Sequence, residues 1–237
     1  MTSAPALELR NVSAAYGRIE VLHNVSFSVP AGCVFALLGS NGAGKSTIHK
    51  VASGRLAPTD GCVHVAGIHI NGADPDQIAR AGVCTIPEGR GIFPNLTVAE
   101  NLRMMTYAGT VKFKDVEERA FARFPDLAER RKQLAGSLSG GQQQMVAMAR
   151  ALTTEPSLLL LDEISIGLAP LIVGELYELV RQLRDEGISI LVVEQFAQTA
   201  LAIADYAAVI SHGTIVAVGQ PQDIADEVSA AYLGGVA

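Results

Sequence analysis

Residues Gly39-Ser40-Asn41-Gly42-Ala43-Gly44-Lys45-Ser46-Thr47 fit the pattern G-x-x-x-x-G-K-[ST] and directly follow the short apolar run Phe35-Ala36-Leu37-Leu38. No other feature restricts the fold as much. The motif needs a buried strand to deliver the loop and a helix to carry it away, which implies an α/β domain of the P-loop type. Its glycines let the backbone wrap closely around phosphate oxygens, while N–H groups at the helix start meet the negative charge. In this reading Lys45 reaches the β- and γ-phosphates and Ser46 holds Mg²⁺. A nucleoside triphosphate is the expected ligand.

A chain of 237 residues has room for one well-buried domain with a subdomain. Its 18 Lys and Arg against 24 Asp and Glu give a formal charge of −6, which argues against a phosphate-tracking surface for nucleic acid. Apolar runs are short, Leu158–Leu161 among them, and none approaches the ~18 residues of a membrane span. The start Met1-Thr2-Ser3-Ala4-Pro5 has neither the basic nor the apolar region of a secretory signal. Cys33, Cys62 and Cys84 lack C-x-x-C spacing and read as small reduced core residues.

Leu7, Leu9 and Val12, then Val25, Phe27 and Val29, alternate as strands do, so an antiparallel region is expected ahead of the loop. A helix from Gly44 to about Ser53, a turn at Pro58-Thr59-Asp60-Gly61 and a strand Cys62–Ala66 follow. From about residue 88 to 156 the spacing becomes helical, with a capping box at Thr97-Val98-Ala99-Glu100, and this stretch reads as a helical subdomain inserted in a single domain spanning 1–237. Strand patterns return at Leu158–Leu161 and Ile188–Val193, separated by a helix near Leu171–Asp185, before a last hairpin through His212-Gly213. The five histidines, with His23 and His49 placed on surface helix or loop, carry no chemistry in this reading.

Two further signals bear on chemistry. The run Leu158–Leu161 ends in Asp162-Glu163, the form expected where a strand tip presents an acid to Mg²⁺ beside a phosphate loop; Glu163 could polarise the attacking water. Leu138-Ser139-Gly140-Gly141-Gln142-Gln143-Gln144 heads a helical run, so Ser139 and the glycines would offer free N–H groups and a helix dipole to an anion.

With these motifs the chain resembles the ABC ATPases over its whole length. The resemblance implies a RecA-like core with an N-terminal antiparallel region and a helical insertion. It also implies ATP and Mg²⁺ as ligands, with Leu138, Ser139, Gly140, Gly141 and Gln142 acting in trans on the nucleotide of a second ATP-binding subunit. Tyr16 matches the aromatic that stacks adenine, and Ser165 and Gly167 match the loop that reaches across the dimer. Ile86–Val98 matches the segment linking the nucleotide site to the transmembrane partner. Glu88 stands where most members have Gln, Gln195 where most have a γ-phosphate-contacting His, and Ile164 where most have Pro. Glu88 would join Ser46 and Asp162, the last through water, at the metal; Gln195 can donate a hydrogen bond but cannot act as an acid or base.

Within the family, Pro87-Glu88-Gly89-Arg90, Val193-Glu194-Gln195 and the ending Ala231-Tyr232-Leu233-Gly234-Gly235 are similar to the smaller ATPase of branched-chain amino-acid importers. That resemblance implies a cytoplasmic protein held on the inner face of the membrane by two permease subunits and served by an extracytoplasmic substrate-binding protein. Importers of urea and short amides have similar ATPases and stand as the alternative. A soluble ABC ATPase acting on nucleic acid is a third reading, disfavoured by the acidic charge and the lack of a long coiled-coil insertion. A small-molecule kinase would leave Leu138–Gln144 without a role.

Overall fold

The computed structural model describes residues 4–89, 91–106 and 112–233, so Arg90 and the Gly234-Gly235 pair lie outside the described residues. The chain opens with two long antiparallel strands, β1 (Leu7–Tyr16) and β2 (Ile19–Val29). Strand β3 (Val34–Leu38) then leads through the glycine loop into helix α1 (Lys45–Ala52). The hairpin β4 (Asp60–Val65) and β5 (Ile68–His69) returns to the first sheet, whose order is β2-β1-β4-β5. Helix α2 (Pro75–Arg80) and strand β6 (Val83–Ile86) follow, and the sequence reading did not resolve either.

After β6 the described chain is helical as far as the next strand: α3 (Val98–Arg103), α4 (Phe113–Arg123), α5 (Pro125–Glu129) and α6 (Gly140–Leu152). Then come β7 (Leu158–Asp162), α7 (Pro170–Asp185), β8 (Ser189–Glu194) and α8 (Ala197–Leu201). The hairpin β9 (Tyr206–Ser211) and β10 (Thr214–Gly219) and helix α9 (Ala225–Leu233) complete the order. The second sheet runs β10-β9-β3-β8-β7-β6, parallel from β9 to β6 with β10 antiparallel at one edge.

Strand alternation explains the layering, because successive side chains point to opposite faces. In β7, Leu158 and Leu160 face a core shared with the antiparallel sheet and α1, where they join Leu7, Leu9, Phe27 and Ile48. Leu159 and Leu161 face the other way, into a core built with α6, α7 and the inserted helices. Strand β8 divides its residues in the same way, with Leu191 and Val193 in the first core and Ile190 and Val192 in the second. A sheet buried on both faces requires the nearly unbroken apolar runs seen in the sequence.

The inserted helices have clear starts. Thr97 caps α3: its N–H donates to Glu100 Oε2 at 2.8 Å and its Oγ1 accepts from the Glu100 N–H at 3.2 Å, the reciprocal pair expected from the sequence. The three cysteines differ from expectation, being free but only half-buried rather than core residues. Among the described residues no helix is long and apolar enough to cross a membrane.

Leu160 is fully buried between two neighbouring strands, so Leu160→Ala should lower unfolding free energy by about 2–5 kcal/mol. Urea denaturation measures this, and a loss below about 1 kcal/mol would contradict a close-packed core at β7.

Candidate active site

At the end of β3 the backbone coils into a cradle that side chains would spoil. A Cβ on Gly39 would stand 2.4 Å from the Ile210 carbonyl oxygen, and one on Gly44 2.9 Å from Leu22 Cδ2. Gly42 and Gly44 also take positive φ, +80° and +113°, where a side chain is strained. The loop is tied at Ala43, whose N–H donates to the Ser40 carbonyl at 3.2 Å and whose carbonyl accepts from the Gly213 N–H at 2.9 Å. Helix α1 starts at Gly44 with no side-chain cap, which leaves its first-turn donors facing the loop.

Lys45 folds back over this loop and donates from Nζ to the carbonyls of Gly39 at 2.8 Å and Ser40 at 3.1 Å. Burial holds its pKa below the ordinary lysine value, while the charges of Glu163, Asp162 and Glu194 pull the other way. Glu163 Oε1 lies 4.0 Å from Nζ. An open cavity of about 370 Å³ is lined by Asn41, Gly42, Gly44, Lys45, Ser46, Thr47, Glu88 and Glu163. A bigger cavity, about 730 Å³ beside Arg119 and Glu186, shares none of these residues. Size is therefore a poor guide here, because convergent donors and acids mark the smaller one.

The two acids at the tip of β7 have different surroundings. Asp162 is buried, and burial, followed by the nearby Glu163 and Glu88 charges, pushes its pKa up to about 6. Its Oδ1 is buried with no hydrogen-bond partner among the described residues. Glu163 sits one residue on with φ +50°, a left-handed conformation unusual for glutamate, fixed by its N–H donating to the Val193 carbonyl at 2.8 Å. That backbone kink turns the chain out of the strand at the acid paired with Lys45.

Behind Asp162, one expectation is overturned. His49 is not on the surface: it is buried in α1 with Nδ1 3.7 Å from Asp162 Oδ2 and 3.1 Å from an Arg55 nitrogen. Burial, then the Arg55 charge, lowers its pKa to about 4, so the imidazole is neutral near pH 7. Helical spacing alone places His49 four residues after Lys45, and only the packing of α1 on β7 turns it inward.

The residues expected to act from elsewhere are positioned as follows. Tyr16 closes β1 at 42% exposure with the Lys50 ammonium 5.2 Å from its ring centre, outside the walls of the phosphate-loop cavity. Gln195 is half-buried just past the end of β8, where Glu194 pairs with Leu38. Leu138–Gln142 do not line the cavity. Against the expectation of a free N–H at Ser139, that N–H donates to Gln142 Oε1 at 3.1 Å, while Ser139 Oγ caps α6 by accepting from the Gln142 N–H at 3.3 Å. Gly141 has a packing reason as well, since a Cβ there would meet Ile172 Cγ2 at 2.6 Å.

Glu194 is the group whose surroundings the sequence left open. It is fully buried, and both its oxygens are occupied. Oε1 accepts from the Tyr177 hydroxyl at 2.9 Å and the Ser165 N–H at 3.2 Å, and Oε2 accepts from Ser165 Oγ at 2.9 Å. Burial raises its pKa against those hydrogen bonds. It therefore anchors the loop carrying Ser165 and Gly167, the latter at φ +72°, and its oxygens are not free to meet a water. Ile164 packs in the helix-side core.

The family model described as ABC transporter matches residues 22–165. The chain belongs to the ABC transporter family. It is similar to the high-affinity branched-chain amino acid transport ATP-binding protein BraG of Pseudomonas aeruginosa, 42% identical over 97% of this chain and all of that one. It is 34% identical to a probable branched-chain amino acid transport ATP-binding protein LivF of Archaeoglobus fulgidus, covering 90% and 91% of the two chains. An ATP-binding cassette of an ABC transporter, solved in its ADP conformation, superposes with TM-score 0.88 at 28% identity over 98% of this chain and 100% of the other. The expected α/β P-loop fold is thus the observed one, and the cassette is an ATPase.

If Lys45 is the charge that meets the terminal phosphates, Lys45→Ala should weaken Mg·ATP binding roughly 10- to 100-fold while the far-ultraviolet circular dichroism stays unchanged. Calorimetric affinity within threefold of the parent would remove Lys45 from the site.

Proposed function

We propose that this cassette is the ATP-hydrolysing subunit of a membrane importer for branched-chain or related hydrophobic amino acids. The observation that carries the cargo assignment is the 42% identity to BraG across essentially the full length of both chains. In this reading the cassette pairs with a second ATP-binding subunit, copy or paralogue, on two permease subunits at the inner face of the membrane, served from outside by a substrate-binding protein. Phe93, Met104 and Leu134, each an exposed apolar side chain in the inserted region, are our candidates for contact with the permease. The Phe93 ring is steadied by the Arg150 guanidinium 4.8 Å away.

Within each site the phosphate loop and α1 bind the triphosphate through backbone donors, and Lys45 neutralises charge at its end. The residues present suit Mg²⁺: the Ser46 hydroxyl and the exposed carboxylate of Glu88 line the cavity, and the buried Asp162, outside its lining and with Oδ1 unpartnered, would act through water to complete a hard oxygen set. When bound, the ion offsets phosphate charge. Glu163, aimed by its left-handed backbone, orients and polarises the attacking water. Gln195 donates a hydrogen bond toward the γ-phosphate and cannot titrate. Because Leu138–Gln142 lie off their own chain's cavity, we assign them to the facing subunit's nucleotide, with Ser165 and Gly167 at the same boundary.

Glu163→Gln should keep ATP bound and slow turnover roughly 10²–10³-fold. In the producing cell it should abolish uptake of radiolabelled leucine, isoleucine and valine and leave urea uptake intact; loss of urea uptake instead would move the cargo to the short-amide class.

Ser139 is exposed, so Ser139→Arg should leave monomer nucleotide affinity within about twofold while stopping steady-state hydrolysis. A Ser139→Arg monomer that binds ATP as poorly as Lys45→Ala would sink the assignment in trans.

A further inference from the structure

The ending Ala231-Tyr232-Leu233 has no chemical role in the account above, yet the structure sets its tyrosine against the phosphate loop. Helix α9 docks through Val228, with Ile224 just before its start, on Ala36, Leu38 and Val209, the face of β3 and β9 opposite the antiparallel sheet. Tyr232, in its last turn, accepts a hydrogen bond at Oη from the Gly39 N–H at 3.1 Å. Gly39 is the first residue beyond the β3 ladder, which ends with Leu38 paired to Glu194 and to Val209. Its N–H therefore has no strand partner, and a buried backbone donor needs one.

The same residue is held on its other side, where its carbonyl accepts from Lys45 Nζ at 2.8 Å. No side chain fits at this position, since a Cβ on Gly39 would stand 2.4 Å from the Ile210 carbonyl oxygen. Tyr232 thus completes a chain of contacts running from the C-terminal helix through Gly39 to the ammonium of Lys45. The phenol is kept protonated: burial raises its pKa most, and the Glu194 and Glu163 charges add to this against the Gly39 N–H.

We infer that Tyr232 is a positioning residue of the nucleotide site, fixing the entry of the phosphate loop from the C-terminal helix. This rests on Gly39–Thr47 being that site. Without the phenolic acceptor the loop entry is freer, and ATP must order it on binding, which weakens affinity without touching the hydrolytic groups.

Tyr232→Phe retains the ring and removes the acceptor. Calorimetry with Mg·ATP on the full-length parent, Tyr232→Phe, Val228→Ala and Lys45→Ala proteins tests the inference, together with turnover at saturating ATP and thermal midpoints with and without nucleotide. Tyr232→Phe should weaken ATP roughly five- to tenfold, the scale of one net hydrogen bond, with saturated turnover within about twofold. Its midpoint without nucleotide should fall only slightly, the cost of one unpaired backbone donor, and the rise on adding nucleotide should shrink. Val228→Ala, in the same helix, should lower the midpoint and keep affinity. Parental affinity in Tyr232→Phe, with Lys45→Ala defective, overturns the inference alone. Equal affinity losses in Tyr232→Phe and Val228→Ala also overturn it, by assigning the effect to helix packing. Unchanged affinity in Lys45→Ala would overturn the site assignment and the inference with it.

Discussion

The parallel ladder joining β3, β8 and β7 sets the relative height of the phosphate loop, Gln195 and the Asp162-Glu163 pair. Backbone pairing matches Leu38 with Glu194, and Val193 in turn with Asp162. Three strands therefore end together, and the phosphate loop, Gln195 and the Asp162-Glu163 pair emerge from adjacent tips. In a sheet of this kind the carboxyl ends of neighbouring strands form the natural crevice for a ligand. A slip of one residue in any of these strands would turn its side chains to the opposite face, and burial on both faces guards against that.

Around the tips, the structure concentrates negative charge and leaves part of it unpaired. Glu163, Asp162 and Glu194 all act on one ammonium, Lys45, and Glu88 adds to the charge on Asp162, while Glu194 is sealed among Ser165 and Tyr177. Burial first, and then the Glu163 and Glu88 charges, raise the Asp162 pKa, and its buried Oδ1 has no hydrogen-bond partner among the described residues. An acid held in that state agrees with the proposal that a triphosphate, its metal and the facing subunit's helix start complete the site from outside the chain. The left-handed Glu163 is a local cost in the same place, and strain of this sort persists where surrounding contacts hold it.

Glu194 shows how such an arrangement joins parts distant in sequence. One carboxylate ties the loop at Ser165, the helix α7 at Tyr177 and the strand that leads to Gln195. From the α9 side, Tyr232 reaches the loop entry in a comparable way. The nucleotide site is thus braced through hydrogen bonds by α7 and α9, neither of which lines the phosphate-loop cavity.

Gly39–Thr47, Asp162-Glu163 and the Thr97 capping box are local: their chemistry depends on residues within a few positions of one another, so the sequence alone determined what they are and which elements carry them. The same holds for β7 and β8, whose unbroken apolar runs announce burial on both faces. The short strand β6 and helix α2 escaped notice because four and six residues carry too little periodicity. Only the tertiary structure decided that His49 faces Asp162, that Glu194 has both oxygens occupied and that Tyr232 meets Gly39. Each of these contacts joins separate elements brought together by strand order and helix packing. Such partners are fixed by the burial of whole faces, which no short stretch of sequence specifies by itself.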